Sequence, residues 1–240
     1  MPLIRSLIGI NVAVWLLWSF AGQDPETALY GFMVEHFLVS RVHLAAGHFW
    51  TLLTSEFSHQ QPWHLALNMV VLYSFGGVLV RRWRAKTFLV FYLAAAIVAS
   101  LAHVAVGLLI GRDAAALGAS GATAALLAAF SVFHPRHRIL VFGAIPVPAF
   151  VGALLFVAVD VWGVVAQSTG GGLPIGHGAH LGGAAFGFLY AWLKRDPAEW
   201  RPSDEEVVAL IEKARAGGLD ALNETERTRL EAILRQARGQ

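Results

Sequence analysis

The feature that most constrains this chain is a series of apolar runs separated by short charged segments. Of the 240 residues, 56% are hydrophobic and only 14% are charged. A soluble domain of this length is rarely so apolar, whereas about 20 apolar residues suffice for one transmembrane helix. The pattern therefore predicts an all-α, polytopic membrane protein with a bundle of six transmembrane helices. The predicted spans cover residues 7–21, 63–80, 88–110, 117–133, 139–165 and 179–193, and Pro146 and Pro148 are expected to mark where the helix of the fifth span properly begins.

Positive charge alternates along the chain, which predicts the orientation of the spans. Lys and Arg precede the first span and follow the second, fourth and sixth, whereas the other loops carry only Arg41 and Arg112. Because basic loops stay on the cytoplasmic side, six spans with both termini cytoplasmic satisfy the pattern. Residues 7–21 could also be a secretory signal, but an even number of spans favours a first transmembrane helix. We therefore expect a multi-pass protein, in contact with membrane lipid, in a bacterial inner membrane.

The predicted domains follow from the change in composition near the end of the chain. Residues 1–195 form the predicted transmembrane core, and residues 196–202, which include Pro197 and Pro202, form a predicted linker. Residues 203–240 carry apolar positions at helical spacing on both sides of a glycine pair, which predicts two amphipathic helices. Ser203 is the expected N-cap of the first of them. The tail is thus predicted to be a short, soluble, cytoplasmic helical hairpin.

Several kinds of chemistry are disfavoured by what the sequence lacks. The chain has no cysteine, so disulfides, thiolate catalysis and cysteine metal sites are excluded. The basic residues flank membrane spans rather than forming one patch, so a nucleic-acid partner is not expected. No HExxH motif occurs, and Asp113 and Asp160 do not form an evident carboxylate pair. His177 and His180 have no carboxylate at ligand spacing in the sequence, so no metal or cofactor is expected.

Polar side chains occur at the starts of the second, fourth and sixth predicted spans. They are His64 with Asn68, Ser120, and His180. Each has an ordinary explanation by itself, as a helix cap, a packing residue or a satisfied hydrogen-bonding group. The alternating topology, however, places all three starts at similar depth on the outer side of the membrane. Because polar groups in a membrane are costly unless they are paired or functional, this coincidence predicts a site that contains a Ser–His pair.

Three short segments also carry a resemblance to a known family. They are HLALN at 64–68, GASG at 118–121 and AHLGG at 179–183. In their order and spacing they resemble the signatures of the rhomboid intramembrane serine proteases, over about residues 1–195. The resemblance implies a six-helix bundle whose Ser–His dyad opens to the outer side and cleaves transmembrane segments of membrane-protein substrates. It further implies Ser120 as nucleophile, His180 as its base, and His64 and Asn68, with the Ser120 N–H, as stabilisers of the oxyanion.

One departure from the family concerns the support of the catalytic histidine. Many relatives carry an aromatic residue four positions after the nucleophile, where this chain has Ala124. We therefore expect an aromatic side chain from another span, such as Phe156 or Trp162, to support the ring of His180. Because the dyad lacks an evident third acid, packing and backbone are expected to orient His180.

Two alternatives to a protease remain. The first is a non-catalytic, rhomboid-like membrane protein that binds transmembrane clients; such a protein is expected to lack the serine or the histidine, and both are present. The second is a small-molecule carrier, which needs a polar path to the inner side. The run that follows Ser120 is apolar through Phe133, and no inverted repeat is evident. The oligomeric state does not follow from the sequence.

Overall fold

The computed structural model describes residues 1–22, 24–141, 143–195 and 204–237. They form two compact units, Met1–Leu193 and Lys194–Gln240. The predicted linker 196–202 and the predicted N-cap Ser203 lie outside the described residues. The helices of the first unit are α1 (Pro2–Ala21), α2 (Ala28–Phe37), α3 (Arg41–Ala45), α4 (Thr51–Thr54), α5 (Pro62–Val71), α6 (Gly77–Leu109), α7 (Ser120–Phe133), α8 (Ala149–Ser168) and α9 (His177–Lys194).

The long segment between the first two apolar helices folds into three short helices. Thr27 and Ser40 supply N-caps for α2 and α3, each accepting a hydrogen bond from the N–H three residues later. A 3₁₀ turn, Ser55–Phe57, follows α4. Trp18 in α1 donates its indole N–H to Ser58 Oγ at 2.6 Å. These bonds hold the segment against α1 and the rest of the unit.

The stretch Pro62–Leu109 contains two segments that the sequence predicts as separate spans. α5 continues through a π-helical turn, Leu72–Gly76, into α6. Within α6 the backbone leaves the helical conformation at Arg84, with φ 66° and ψ 157°. This break falls inside the basic cluster 81–86, where the sequence predicts a loop between spans.

The helix of the fifth predicted span begins next to the prolines expected to mark its start, but the all-α prediction is wrong for the residues before it. Strands β1 (Arg138–Val141) and β2 (Ile145–Pro148) form an antiparallel hairpin before α8 begins at Ala149. Pro146 and Pro148 disfavour a helix interior because proline lacks the N–H donor and clashes with the preceding turn. The Ile and Val residues of both strands have β-branched side chains, which favour extended backbone.

α7 lies at the centre of the first unit, and most of its residues are buried. Its inner side chains pack with residues of α1, the π turn, α6 and α9. The main cluster comprises Ile4, Leu7, Leu72, Leu79, Phe88, Phe91, Tyr92, Ala95, Ala96, Ala122, Ala125, Leu126, Ala129 and Ala191. The many alanines allow neighbouring helices to approach α7 closely.

Three described helical stretches are long and apolar enough to cross a membrane, namely Pro2–Ala21, Pro62–Leu109 and Ala149–Ser168. α7 is apolar but shorter. Large apolar side chains such as Leu154, Val159 and Trp162 are exposed along α8. This pattern is that of a helical membrane protein whose outer surface contacts lipid.

The second unit consists of α10 (Asp204–Gly217), a 3₁₀ turn (Leu219–Ala221) and α11 (Glu224–Ala237). Leu210, Leu222 and Leu230 form its own small core. Asn223 and Glu226 form a capping box, in which Asn223 Oδ1 accepts the N–H of Glu226 and the carboxylate accepts the N–H of Asn223. The Lys213 ammonium, hydrogen-bonded to Glu226, lowers the pKa of that carboxyl.

Candidate functional site

Ser120 is the first residue of α7 and is half-buried. The turn before it requires glycine, because Gly118 has φ 119° and a Cβ there would lie 2.5 Å from Cε1 of His64. The Gly118 N–H donates to Ser55 O at 2.9 Å. As a first-turn amide, the Ser120 N–H has no carbonyl acceptor within the helix, so it can serve an oxyanion.

His59 fixes the residue that precedes the serine. Its Nε2 accepts the Ala119 N–H at 3.2 Å, and the ring is fully buried. Burial, together with the nearby positive charge that His64 can carry, lowers the pKa of His59 to about 3. The ring is therefore neutral at physiological pH and able to accept the bond. No feature of the sequence around His59 indicates this role.

The two residues predicted on α5 lie beside the start of α7. The ring of His64 packs against Gly118 and lies with its centroid 5.0 Å from that of His59. Asn68 Nδ2 donates to His64 O, and Asn68 Oδ1 accepts from Thr123 Oγ1, both at 2.9 Å. Thr123 lies one turn after the serine, so this bond joins α5 to α7 at the level of the predicted oxyanion site.

α9 lies against α7 with almost no space between the two backbones. A Cβ at position 183 would lie 1.9 Å from the carbonyl oxygen of Gly121, and one at position 187 would lie 2.2 Å from that of Ala125. From the first contact to the second, the residue number rises by four in both helices, so α7 and α9 run parallel. A Cβ at position 121 would in turn lie 3.5 Å from the carbonyl oxygen of Ala179. This register brings His180 to the level of the first turn of α7.

His180 has two neighbours from α8. Its Nδ1 lies 2.9 Å from Asp160 Oδ1, and its ring centroid lies 5.3 Å from that of Phe156. Phe156 thus takes the place expected for an aromatic neighbour, whereas the other candidate, Trp162, is 75% exposed. The expectation that no third acid orients His180 is wrong. Because Asp160 is 2% exposed, its carboxylate is held in the protein interior beside the ring.

The geometry places the four predicted residues at one end of the bundle, around the start of α7. The hydrogen bonds among the described residues do not include one between Ser120 and His180. Catalytic hydrogen bonds are often long in a free enzyme and tighten when substrate binds. An Nδ1–H that points to Asp160 leaves Nε2 of His180 as the acceptor, which is the tautomer that a general base requires.

A second histidine shares the carboxylate of Asp160. His177 Nδ1 lies 2.6 Å from Asp160 Oδ1. The ligand atoms of Asp160, His177 and His180 all lie within 4.8 Å of one another. The expectation that no carboxylate accompanies the two histidines is therefore wrong, because the fold brings α8 to the start of α9.

Glu56 is a further buried group and is not among the residues predicted for the site. It is 3% exposed, its Oε1 has no hydrogen-bond partner, and it lies near the start of α7. Burial raises the pKa of Glu56 well above its usual range, and the Tyr92 hydroxyl and the Ala122 N–H oppose this only in part. The buried carboxyl is thus favoured in its neutral form.

Comparisons with known proteins identify the family of the chain. The model of the family described as "Rhomboid domain" matches residues 46–197. "Rhomboid protein 1, mitochondrial" of Saccharomyces cerevisiae is 35% identical over 199 residues, which cover 79% of this chain and 52% of the yeast protein. "RHOMBOID-like protein 12, mitochondrial" of Arabidopsis thaliana is 31% identical, with 80% and 57% covered. "Presenilin-associated rhomboid-like protein, mitochondrial" of Homo sapiens is 29% identical, with 81% and 50% covered. The chain therefore spans about half the length of the curated relatives it matches.

Proposed function

Because this chain belongs to the rhomboid family, we propose that it is an intramembrane serine endopeptidase that cleaves transmembrane segments of membrane-protein substrates near the outer face. The observation that carries the proposal is the register of α7 and α9. With that register, His180 lies at the level of the turn that begins with Ser120. Asp160 accepts a hydrogen bond from Nδ1 of His180, which supports a role of Nε2 as the base. Ser120 is the nucleophile and His180 its base.

The membrane arrangement that we propose has six spans. Three helical stretches meet the length and composition for crossing, and the break at Arg84 divides the longest of them into two. α7 and α9 complete the set. The 14 residues of α7 rise about 21 Å, against roughly 30 Å of hydrocarbon. If α7 ends at the inner surface of the hydrocarbon layer, its first residue, Ser120, lies below the outer surface of that layer. This depth suits cleavage within a membrane.

The chemical steps use side chains of this chain and one water molecule. Ser120 Oγ attacks the peptide carbonyl while His180 Nε2 takes its proton and then donates it to the leaving amine, which leaves the acyl group on Ser120. Water then attacks this ester, with His180 Nε2 taking the proton of the water and returning it to Ser120 Oγ, so that the carboxylic acid is released. Asp160 acts as a positioning residue that keeps the other ring proton on Nδ1. Three groups around the same turn stabilise the oxyanion. They are the Ser120 N–H, the His64 ring, and the Asn68 amide N–H that is not bonded to His64 O.

A non-catalytic protein that binds transmembrane clients remains the alternative. Such a protein does not require the hydrogen bond between Asp160 and Nδ1 of His180. Nor does it require the hydrogen bond by which His59 fixes the turn before Ser120. Both features therefore favour the enzyme. The relatives named above are mitochondrial, so they do not support the expected bacterial inner membrane. We therefore propose an integral membrane protein with both termini on one side and leave its compartment unassigned.

The test is cleavage of a model transmembrane substrate by the purified chain in detergent and in vesicles. Ser120→Ala is expected to abolish cleavage and labelling by a serine-reactive fluorophosphonate. Ser131→Ala is the matched control, because Ser131 lies in the same helix and its hydroxyl donates only to Ala128 O. Cleavage at wild-type rate by a folded Ser120→Ala protein would contradict the proposal, and absence of both cleavage and labelling in the wild type would favour the client-binding alternative.

A further inference from the structure

A buried histidine and a half-buried one share one buried carboxylate, and the proposed mechanism uses only one of these two histidines. The side chains of His177, His180 and Asp160 are 7%, 12% and 3% exposed. Both histidines lie within hydrogen-bond distance of the same oxygen, Asp160 Oδ1. Nδ1 of His177 is 2.6 Å from it and Nδ1 of His180 is 2.9 Å from it. The backbone also accommodates His177, because a Cβ at position 163 of α8 would lie 2.2 Å from Nε2 of that ring. Thus Gly163 provides the space in which His177 reaches the carboxylate.

We propose that Asp160, His177 and His180 form an inhibitory site for a divalent transition-metal ion of the Zn²⁺ class. Two imidazole nitrogens and one carboxylate oxygen are a common protein ligand set for zinc. With bonds of about 2.0–2.1 Å, tetrahedral ligand atoms lie roughly 3.3 Å apart. The three ligand atoms lie within 4.8 Å of one another, so small side-chain rotations suffice to enclose the ion.

The electrostatics of the cluster favour a cation. A buried carboxylate is costly unless charge or hydrogen bonds compensate it, and the ion pairs of Asp160 are with histidines, which are charged only when protonated. A dication bound to the carboxylate and two neutral imidazoles compensates that charge directly.

Inhibition follows from the tautomer of His180, and this consequence rests on the proposed function. The atom that faces Asp160 is Nδ1, so an ion in the cluster binds at Nδ1. A neutral imidazole that gives its Nδ1 lone pair to a metal carries its proton on Nε2. That nitrogen can then no longer accept the proton of Ser120, so the base is blocked although Ser120 itself is untouched.

Direct binding is measured with Co²⁺, whose visible spectrum reports tetrahedral coordination, on the full-length protein in detergent after removal of metals. We expect one equivalent to bind to wild type and Zn²⁺ to displace it. His177→Gln and Asp160→Asn should weaken binding by at least about 10-fold. Asp160→Asn keeps the side-chain shape and so serves if His177→Gln fails to fold. His48→Gln is the control, because His48 also lies beside a carboxylate but outside the proposed site: its Nε2 is 3.5 Å from Glu35 Oε1.

Inhibition is measured separately, with each protein compared with itself in the absence of metal. Zn²⁺ should reduce substrate cleavage by wild type and by His48→Gln to about a tenth or less, and a chelator should restore it, whereas His177→Gln should be insensitive. Active wild type that does not bind Co²⁺, or Co²⁺ binding that survives in both site variants, overturns the metal site and leaves the protease proposal intact. Binding at the cluster without inhibition overturns the inhibitory role. A protein that binds metal but never cleaves substrate overturns the protease proposal and with it the inhibitory role, while the metal site stands.

Discussion

At the scale of the residue, the carboxylate of Asp160 determines which ring nitrogen of His180 is free to accept the proton of Ser120. Asp160 lies in an otherwise apolar helix and accepts a hydrogen bond from Nδ1. An ionisable residue inside a predicted membrane span is a functional indicator by itself, so the sequence contained a signal for it. Its partner could not be predicted, because the distance between Asp160 and His180 depends on how α8 packs against α9.

We expect Asp160→Asn to lower the kcat of substrate cleavage more than Asp160→Ala does. The amide of Asn can donate to Nδ1 and hold the proton on Nε2, which is the wrong tautomer, whereas Ala leaves both tautomers accessible. The corresponding change in a Ser–His–Asp protease costs about 10⁴-fold, and we expect on the order of 10²–10⁴-fold here, with little change in KM. Kinetics on protein whose thermal unfolding shows it to be folded would check this. Equal kcat in Asp160→Asn and wild type would remove Asp160 from the mechanism.

The buried Glu56 predicts a pH dependence of stability. The pKa of its folded form lies well above 4.5, so the folded chain retains a proton that the unfolded chain has released. The free energy of unfolding therefore falls as the pH rises above about 4.5, by at most about 1.4 kcal/mol per pH unit for this group. Glu56→Gln should lessen this loss, so that its advantage in Tm over wild type grows from pH 5 to pH 8. A constant difference in Tm across that range would contradict the assignment.

At the scale of the element, four glycines allow α9 to fit between α6 and α7. A Cβ at position 178 would lie 2.8 Å from Val106, and one at position 182 would lie 2.2 Å from Ala102, both in α6. Positions 183 and 187 face α7. Gly183 and Gly187 form a GxxxG pattern in the sequence, which predicts close packing, and the alanines at 124, 125 and 128 indicate the fourth span as its partner. The contacts with α6 could not be predicted in this way. The packing explains how His180, in the first turn of α9, reaches the start of α7.

Gly183→Ala should displace α9 from α7 and with it His180. The added methyl would meet the carbonyl oxygen of Gly121, a backbone atom that cannot rotate away. We expect a loss of about 1–3 kcal/mol in stability and a fall in kcat that exceeds the loss of folded protein. Gly9→Ala is the matched control, because a Cβ at position 9 of α1 meets nothing within 4 Å. If both variants retain wild-type Tm and kcat, α7 and α9 do not need this contact.

The boundaries of elements were harder to predict than their existence. Apolar runs predicted helices in the right places because burial or lipid exposure requires long apolar stretches. The hairpin β1–β2 lies within the fifth predicted span, since Ile139 and Val141 are as apolar as a membrane helix. Pro146 and Pro148 predict that the helix itself begins only there, because proline suits the first turn of a helix, and α8 does begin directly after them, at Ala149.

At the scale of the whole molecule, the chain consists of two units with separate apolar cores. The first unit, Met1–Leu193, contains every residue of the proposed mechanism and of the proposed metal site. The second buries Leu210, Leu222 and Leu230 against one another. The change in composition after the last apolar run predicted such a tail, because its apolar residues recur at helical spacing within a charged sequence.

Removal of residues 200–240 is therefore expected to leave cleavage of a model substrate in detergent within about twofold of the full-length rate. None of the groups proposed to act on the substrate lies in that segment, and its apolar residues form a core of their own. Expression level and Tm are the properties that the tail can change, so activity must be normalised to the amount of Ser120 that reacts with a fluorophosphonate. The full-length chain and a truncated Ser120→Ala protein are the controls. A truncated protein that unfolds at the same temperature as the full-length chain, yet cleaves at less than about a tenth of its normalised rate, would show that the tail acts on the catalytic core.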